Sequence, residues 1–379
     1  MAPDSIVPLA GAVLTALATL YALAALLCRP RTWQAVAPAP APRPVSVLKP
    51  LCGAEPRLEA NLATLCVQTH PCYQIVFGVR DPDDPAVAAV GRLMQAYPQV
   101  DMRLVVDPRI HGSNRKVSNL LNMTAAARHP WLVLADSDIA VRPDYLERVT
   151  APLADARTGI VTCLYRGRPA GGFWTRVGAL FIDAWFAPSV GVASRGGASA
   201  FGFGATIALR AEVLASIGGF AALKDRLADD FWLGELSRRR GLATVLSEVT
   251  VDTDVTEDRL TALWTRERRW MQTIRSLNPA GYAFSFITFT LPMLALGLWL
   301  APADWNWAVA LAGLVARLLL YRRARPGWRA LALAPLRDGL LLLEWLSAFA
   351  GSTTRWRGHL LHVDRRHGPA SVPASLDNT

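Results

Sequence analysis

The chain opens on an unbroken apolar run. Residues 6 to 28 carry no charge, and a bilayer core takes about 20 such residues to cross. Asp4 is the only charge ahead of the run, whereas a secretory leader places basic residues there. Arg29 and Arg31 follow it instead. Basic residues stay on the cytoplasmic side, so the pattern predicts an outside N-terminus and a cytoplasmic continuation. Residues 35–44 alternate Ala and Pro and read as an extended tether. From Val45 the texture changes to short β-rich runs at 45–48, 74–79, 102–106 and 131–135. Helical periodicity falls between them at 57–67, 85–97 and 116–128. Alternation of this kind predicts an α/β fold with a mostly parallel sheet and nucleotide-binding loops at the strand C-termini.

Apolar texture returns after about residue 280. The run 282–300 is long enough to span, and 307–321 is a shorter hairpin partner containing Arg317. Arg322, Arg323, Arg325 and Arg329 then mark a cytoplasmic side, in agreement with the first segment. The run 331–350 is interrupted by Pro335, Arg337, Asp338 and Glu344. It fits a fourth span, a re-entrant segment or an interfacial helix, and the basic tail (Arg355, Arg357, Arg365, Arg366) favours the last two. The expected division is a transmembrane helix at 6–28, a tether at 29–44, a catalytic domain at 45–280, transmembrane and interfacial helices at 281–355 and a basic tail at 356–379.

Composition agrees with a membrane protein. Hydrophobic residues make up 52% and charged residues 18%, against roughly 45–50% and about 25% in soluble domains. The 13 Trp suit membrane interfaces. The net charge of +10 admits nucleic acid, anionic lipid or an anionic substrate. Much of the excess flanks the apolar runs, which points to lipid and away from nucleic acid. The 5 cysteines form no Cys-x-x-Cys pair, so neither a disulfide framework nor a zinc site is expected, and the thiols should be reduced and mostly buried.

Candidate chemistry begins at Asp136-Ser137-Asp138, directly after an apolar strand. Carboxylates one residue apart at a strand end can share Mg2+ or Mn2+, with substrate phosphates completing the shell. The bland alternative is a solvated turn capping a helix. Asp81, after the run 74–79, can accept hydrogen bonds from a nucleotide, although Asp and Pro are also ordinary turn residues. Asp83 and Asp84 fit that second role better. Asp229-Asp230 open a helical segment, where a buried carboxylate can serve as general base or simply complement the helix dipole. Upstream, Gly202, Gly204, Gly218 and Gly219 permit close backbone approach or merely form loops. Arg266, Arg269 and Trp270 share one helical face. Paired guanidinium groups suit a diphosphate, and they equally suit lipid headgroups. The acceptor pattern Asn122-Met123-Thr124 lies in a predicted cytosolic helix, and His111 and His359 lack partners at metal-ligand spacing.

Taken in order, Asp81, Asp136-x-Asp138, Asp230 and Arg266-x-x-Arg269-Trp270 resemble the D, D, D, (Q/R)-x-x-R-W signature of processive and lipid-modifying family-2-like glycosyltransferases. Val45-Ser-Val-Leu-Lys-Pro-Leu-Cys-Gly53, Val79-Arg-Asp-Pro-Asp-Asp-Pro85 and Leu227-Ala-Asp-Asp-Phe231 resemble the ceramide glucosyltransferase family. Within it, Gly112-Ser-Asn-Arg-Lys-Val-Ser-Asn119 and Phe203-Gly-Ala-Thr-Ile-Ala-Leu209 look most like the bacterial hopanoid-biosynthesis glycosyltransferases. Those transfer N-acetylglucosamine from its UDP form to bacteriohopanetetrol.

The resemblance implies a GT-A fold over residues 45–280 and roles by position. Asp230 would be the catalytic base. Lys49, Pro50, Asp81, Lys116, Asp136, Arg266, Arg269 and Trp270 would contact the nucleotide-sugar. Asp136 and Asp138 would hold Mg2+ or Mn2+. The expected partners are a UDP-sugar, a lipid acceptor and the bilayer, at a bacterial inner membrane with the catalytic domain in the cytoplasm. Some ceramide enzymes lack an acid at the position of Asp138; its presence favours metal dependence. Arg266 stands where polysaccharide synthases usually carry Gln, which weakens a processive reading. The apolar stretch 173–192 fits an acceptor-docking surface and a buried core helix equally. A non-catalytic scaffold is the remaining rival, opposed by the full set of acidic and Arg positions.

Overall fold

The computed structural model describes residues 3–34, 41–351, 353–356 and 359–362. Residues 35–40 of the expected tether and 363–379 of the expected tail lie outside the described residues. Eight strands form one sheet: β1 (Val45–Pro50), β2 (Tyr73–Val79), β3 (Asp101–Val106), β4 (Trp131–Ala135), β5 (Ile139–Ala140), β6 (Thr158–Pro169), β7 (Thr206–Arg210) and β8 (Ala243–Val255). Their order is β3-β2-β1-β4-β7-β6-β8-β5. The half built from β3, β2, β1 and β4 is parallel. Strand β7 runs antiparallel to both β4 and β6, and β6 pairs parallel with β8.

The four strands expected from the sequence all form. Strands β1 and β4 are almost wholly buried, because helices cover both faces of a parallel sheet and leave no solvated side. Covering helices include α2 (Leu58–Ala63), α3 (Pro85–Ala96), α4 (Arg115–Met123) and α5 (Tyr145–Thr150). Helix α3 starts with Pro85 at its first position and with the Asp84 carboxylate accepting from Ala86 N. The Asn114 side chain caps α4 through Val117 N, 3.1 Å away. Each cap satisfies a backbone donor that the first helical turn leaves without a partner. These caps fix where α3 and α4 begin, and α4 carries Lys116 into the site. The stretch 173–192 forms α6 (Gly172–Leu180) and α7 (Ala187–Arg195), joined by a π-helical turn at Phe181–Phe186. Then come α8 (Ala211–Ser216), α9 (Asp229–Arg239) and α10 (Leu260–Leu277).

Four longer or apolar helices form a bundle: α1 (Pro3–Leu27), α12 (Thr290–Leu300), α13 (Asp304–Ala324) and α14 (Trp328–Ala348). The short α11 (Pro279–Phe284) leads into it. Helix α1 packs on α12 and α13 through small residues. A Cβ on Gly11 would lie 2.8 Å from the Gly297 carbonyl, and Thr19 Oγ1 donates to the Val309 carbonyl across the contact at 3.1 Å. Backbones approach this closely only where side chains are small. The outer face of α1 exposes Ile6, Val7, Leu9, Val13, Leu17 and Leu20.

Among the described residues, two helices are long and apolar enough to cross a membrane, Ile6–Leu27 and Gly172–Arg195. The second is mostly packed inside the protein, with Phe181 and Trp185 buried. The run 282–300 is not one straight span. It is two helical pieces, Pro279–Thr288 and Thr290–Leu300, bent by 73°. Pro292 falls in the first turn of the second piece, and its ring would collide with the carbonyl four residues back if the helix continued through. The run 331–350 is a single helix, α14. Arg337, Asp338 and Glu344 lie on its packed stripe with Ala334, Leu341 and Ala348, all buried. These charges therefore meet protein groups rather than lipid headgroups. Asp338 accepts from Arg317 Nε at 2.9 Å, from Arg317 Nη2 at 2.5 Å and from the Tyr321 hydroxyl at 2.7 Å. It also accepts from Leu291 N, a first-turn donor of α12, at 3.2 Å. Arg317 Nη1 donates to the Ala184 carbonyl in the π-helical turn at 2.7 Å.

Beyond α14, two short strands, β9 (Thr353–Trp356) and β10 (His359–His362), pair antiparallel where only a basic tail was expected. The five cysteines are free, but Cys52 and Cys72 are exposed rather than buried. His111 is a local hydrogen-bonding residue, its Nε2 lying 2.7 Å from Asn122 Oδ1.

Candidate active site

Adjacent parallel strands β2, β1 and β4 deliver Asp81, Lys49-Pro50 and Asp136 to one edge of the sheet. Asp136 is the hub of this edge. Its backbone carbonyl accepts from the buried Lys49 Nζ. Its carboxylate pairs with Lys116 Nζ at 2.7 Å, and Lys116 reaches Asp229 Oδ2 at 3.5 Å. Asn114 Nδ2 completes the link, 3.3 Å from Asp229 Oδ1. Lys116 thus ties the end of β4 to the start of α9. Burial opposes its charge, but Asp136 and Asp229 outweigh that and raise its pKa. Burial lowers Lys49 to about 8, against the pull of Asp138, Asp136 and Glu55. Asp138 accepts from Thr253 Oγ1 at 2.9 Å. Burial, then repulsion from Asp136 and Glu55, pushes it up to about 7.

Asp230 sits in the first turn of α9 and faces Asp136 across a glycine loop. A Cβ built on Gly204 would lie 3.2 Å from Asp230 Oδ2 and 3.5 Å from Asp136 Oδ2. One on Gly202 would strike the Asp230 carbonyl. Position 202 therefore requires glycine because the loop runs against the Asp230 backbone, and a side chain at 204 would crowd both carboxylates. Burial first, and the Asp229 charge second, raise Asp230 to about 6, with Lys116 partly opposing. A carboxylate with that value ionises near neutral pH and retains basicity.

Helix α10 brings the Arg-Trp face alongside. Arg266 is held by Glu257 at 2.5 Å and lies over the Trp270 ring, 5.0 Å from its centroid. Arg269 and Trp270 are half-buried on the same face. Between them and the bundle runs a buried triad: Arg337 pairs with Glu267 of α10 at 2.8 Å and with Glu344 of α14 at 2.7 Å. Tyr165 of β6 is the common neighbour, with Asp230, Arg266, Asp136 and Asp138 all acting on its phenol.

Asp81 stands apart from this cluster. It is exposed at the end of β2, and its carboxylate accepts from Asp83 N at 2.9 Å in a turn. Asp84 caps α3 and also accepts from Gly53 N at 2.9 Å. Tyr165, Thr253, Glu55 and Glu257 were not picked out by motif, and Asn114 and Asp229 entered only within longer motifs, with no role of their own. The pair Asp229-Asp230 at a helix start was the one legible signal among them. The others come from segments distant in sequence.

Oxygen donors at Asp136 and Asp138 fit a hard divalent cation. Lys116 already places a positive charge 2.7 Å from one Asp136 oxygen, and 36% of that side chain stays solvent-exposed. No cluster of three ligating His, Cys, Asp or Glu exists among the described residues. A cation here would need substrate oxygens to complete its shell, as Mg2+ commonly does with phosphates.

Comparison with known proteins bears on the family and the fold. Ceramide glucosyltransferase 3 of Caenorhabditis elegans is 28% identical over 207 residues, covering 54% of this chain and 44% of that protein. Ceramide glucosyltransferase 1 of the same organism is 23% identical over 251 residues, covering 64% and 52%. The alignments thus span about half the length of these curated relatives. A mannosyltransferase from Pyrobaculum calidifontis, solved with GDP-Man and Mn2+, superposes with a TM-score of 0.54 at 20% identity, covering 91% of this chain and 98% of that one. That likeness establishes the GT-A fold. The model of glycosyl transferase family 21 matches residues 10–368, and the chain belongs to that family.

Proposed function

We propose that the protein is an inverting glycosyltransferase that moves a sugar from a UDP-sugar to a lipid alcohol at the cytoplasmic membrane face. The observation that carries the reading is the pair of carboxylates, Asp230 and Asp136, flanking Gly204 beside the D-x-D turn. Asp230 takes the proton of the acceptor hydroxyl as its oxygen attacks the anomeric carbon. The bond from that carbon to the diphosphate oxygen breaks, and its electron pair leaves with UDP. Attack opposite the leaving group inverts the anomeric centre. Asp136 and Asp138 would hold Mg2+ or Mn2+, which when bound neutralises the departing diphosphate. Lys49, Pro50 and Asp81 at the strand ends would meet the nucleotide. Lys116, Arg266 and Arg269 would stabilise negative charge on the diphosphate, and Trp270 would close the donor–acceptor site.

Membrane attachment is supported by the bundle's charge. The Arg323 guanidinium donates to the Leu26 carbonyl at 3.1 Å, so the ends of α1 and α13 followed or capped by Arg29, Arg31, Arg322 and Arg323 lie together. Grouped basic ends mark a cytoplasmic side. In the finer reading the membrane is a bacterial inner membrane, the sugar N-acetylglucosamine and the acceptor bacteriohopanetetrol. Its support is the motif resemblance at 112–119 and 203–209. The second reading, glucose onto ceramide, is favoured by the names of the curated relatives. The test is a transfer assay with Mg2+ or Mn2+, pairing each UDP-sugar with each lipid and reading products by mass spectrometry. A hexosamine on the hopanoid, lost in Asp230→Asn with UDP binding retained, is the expected result. A hexose on ceramide selects the second reading. Retained transfer in Asp230→Asn would remove Asp230 as base.

A further inference from the structure

Four half-buried rings gather at the glycine loop that touches the proposed base. Phe203 belongs to the loop whose flanking glycines, Gly202 and Gly204, touch the Asp230 backbone and carboxylate. Its position is pinned by Thr162 Oγ1, which accepts from Phe203 N at 2.9 Å. The Phe203 ring meets Phe186 at 5.1 Å and stacks on Phe201 at 5.4 Å between centroids. Tyr165 stacks on Phe186 at 4.8 Å and meets Phe203 edge-on at 6.3 Å. Here the wall is aromatic, and none of the four rings is fully buried.

The wall is continuous with the membrane elements. Phe186 closes the π-helical turn, and α7 begins at the next residue. A π-turn inserts an extra residue into the helix and so rotates its downstream face. Trp185 is buried and Phe186 half-buried. Phe186, Phe201 and Phe203 pack against the cluster of Leu164, Val190 and Leu246, and on the other side of α7 Val192 packs against the cluster of Tyr21, Ala25 and Leu320. Tyr21 Oη lies 2.7 Å from Ser189 Oγ, and Arg195 Nε donates to the Arg29 carbonyl at 2.9 Å. Helix α7 therefore lies between the ring cluster and the basic end of α1.

We propose that Tyr165, Phe186, Phe203 and Phe201 form the acceptor subsite, seating the apolar body of a lipid alcohol with its hydroxyl at Asp230 and its remainder leaving along α7 to the bilayer. The assignment rests on the proposed lipid-glycosylating activity. Its occupant is a membrane lipid rather than a saccharide, because the rings continue into α7 and α1 and not into open water.

The test uses the full chain in lipid nanodiscs. Transfer kinetics are measured for wild type, Phe186→Ala, Phe203→Ala and Phe186→Leu, with UDP affinity by calorimetry as the control of folding. Losing one buried ring is expected to raise the acceptor KM about tenfold or more. UDP affinity should hold, and Phe186→Leu should recover part of the loss. In parallel, a diazirine-bearing lipid alcohol is photolysed on wild-type protein, and the labelled peptides should include residues 186–203. An unchanged acceptor KM in both alanine variants, or labelling confined to other segments, overturns the subsite while leaving the activity intact. Transfer by wild type to soluble saccharides with the same ring dependence overturns the lipid occupant. Wild type that glycosylates no lipid alcohol sinks the activity itself, and the subsite with it.

Discussion

Replacing Asp338 by Leu strands a fully buried guanidinium. Arg317 would keep only the Ala184 carbonyl and the Tyr321 hydroxyl among the described residues. Replacing Arg317 by Met instead leaves the buried Asp338 carboxylate with the Tyr321 hydroxyl and the Leu291 N–H. Removing one member of a buried pair costs about 3–5 kcal/mol, since the survivor is an uncompensated charge in a low-dielectric interior. The two single changes therefore sum to about 6–10 kcal/mol. The double variant removes both charges and leaves three neutral groups without that partner: the Ala184 carbonyl, the Tyr321 hydroxyl and the Leu291 N–H. At about 1 kcal/mol for each lost hydrogen bond, its expected cost is about 3 kcal/mol. The coupling is thus at least about 3 kcal/mol, roughly a hundredfold in the folding equilibrium. Neutral hydrogen bonds between membrane helices average nearer ~0.6 kcal/mol. Unfolding in mixed micelles, followed by Trp fluorescence, measures all four proteins. Single effects that add to within about 0.5 kcal/mol in the double variant would refute a buried, mutually compensating pair.

Three further outcomes are expected. The base must be ionised, and burial and Asp229 set Asp230 at about 6. The kcat/KM should therefore fall about tenfold per pH unit below 6, and Asp229→Asn should move that acid limb to lower pH; a limb that stays put removes Asp229 as a cause. Gly204→Ala should lower kcat by about tenfold or more with UDP affinity little changed, because its Cβ would press on Asp230 Oδ2 at 3.2 Å and misplacement of reacting groups is costly; steady-state kinetics with calorimetry checks it. Asn114→Ala should destabilise the protein by about 1 kcal/mol through the lost α4 cap, seen in the same unfolding assay. It should also weaken UDP affinity, since α4 carries Lys116 to Asp136.

Much of this protein was legible one residue at a time. Strand–helix alternation set the parallel half of the sheet, since fully covered strands must be continuously apolar. Asp136-x-Asp138, Asp230 and Arg266-x-x-Arg269-Trp270 were visible because short spacings after strands and along one helix face survive in sequence. The orientation suggested by Arg29, Arg31, Arg322 and Arg323 was readable as well, from charge beside apolar runs. Strands β6, β7 and β8 carried no comparable signal, and the antiparallel insertion of β7 between β4 and β6 is a matter of pairing between distant segments. Hydropathy alone treated Arg317, Arg337, Asp338 and Glu344 as interruptions of apolar runs. Packing made them partners: Asp338 of α14 pairs with Arg317 of α13, and Arg337 pairs with Glu267 of α10 and with Glu344 of its own helix, a set that no local pattern reveals. Likewise the sequence named Asp81 for the nucleotide and Asp136 for the metal, but only the tertiary structure decided that Asp136 meets Lys116 and faces Asp230 while Asp81 lies in an exposed turn. The physical reason is the same throughout: local periodicity encodes which face is buried, but what a buried polar group meets depends on segments distant in sequence, as when Asn61 donates to the buried Asp254 from 193 residues away.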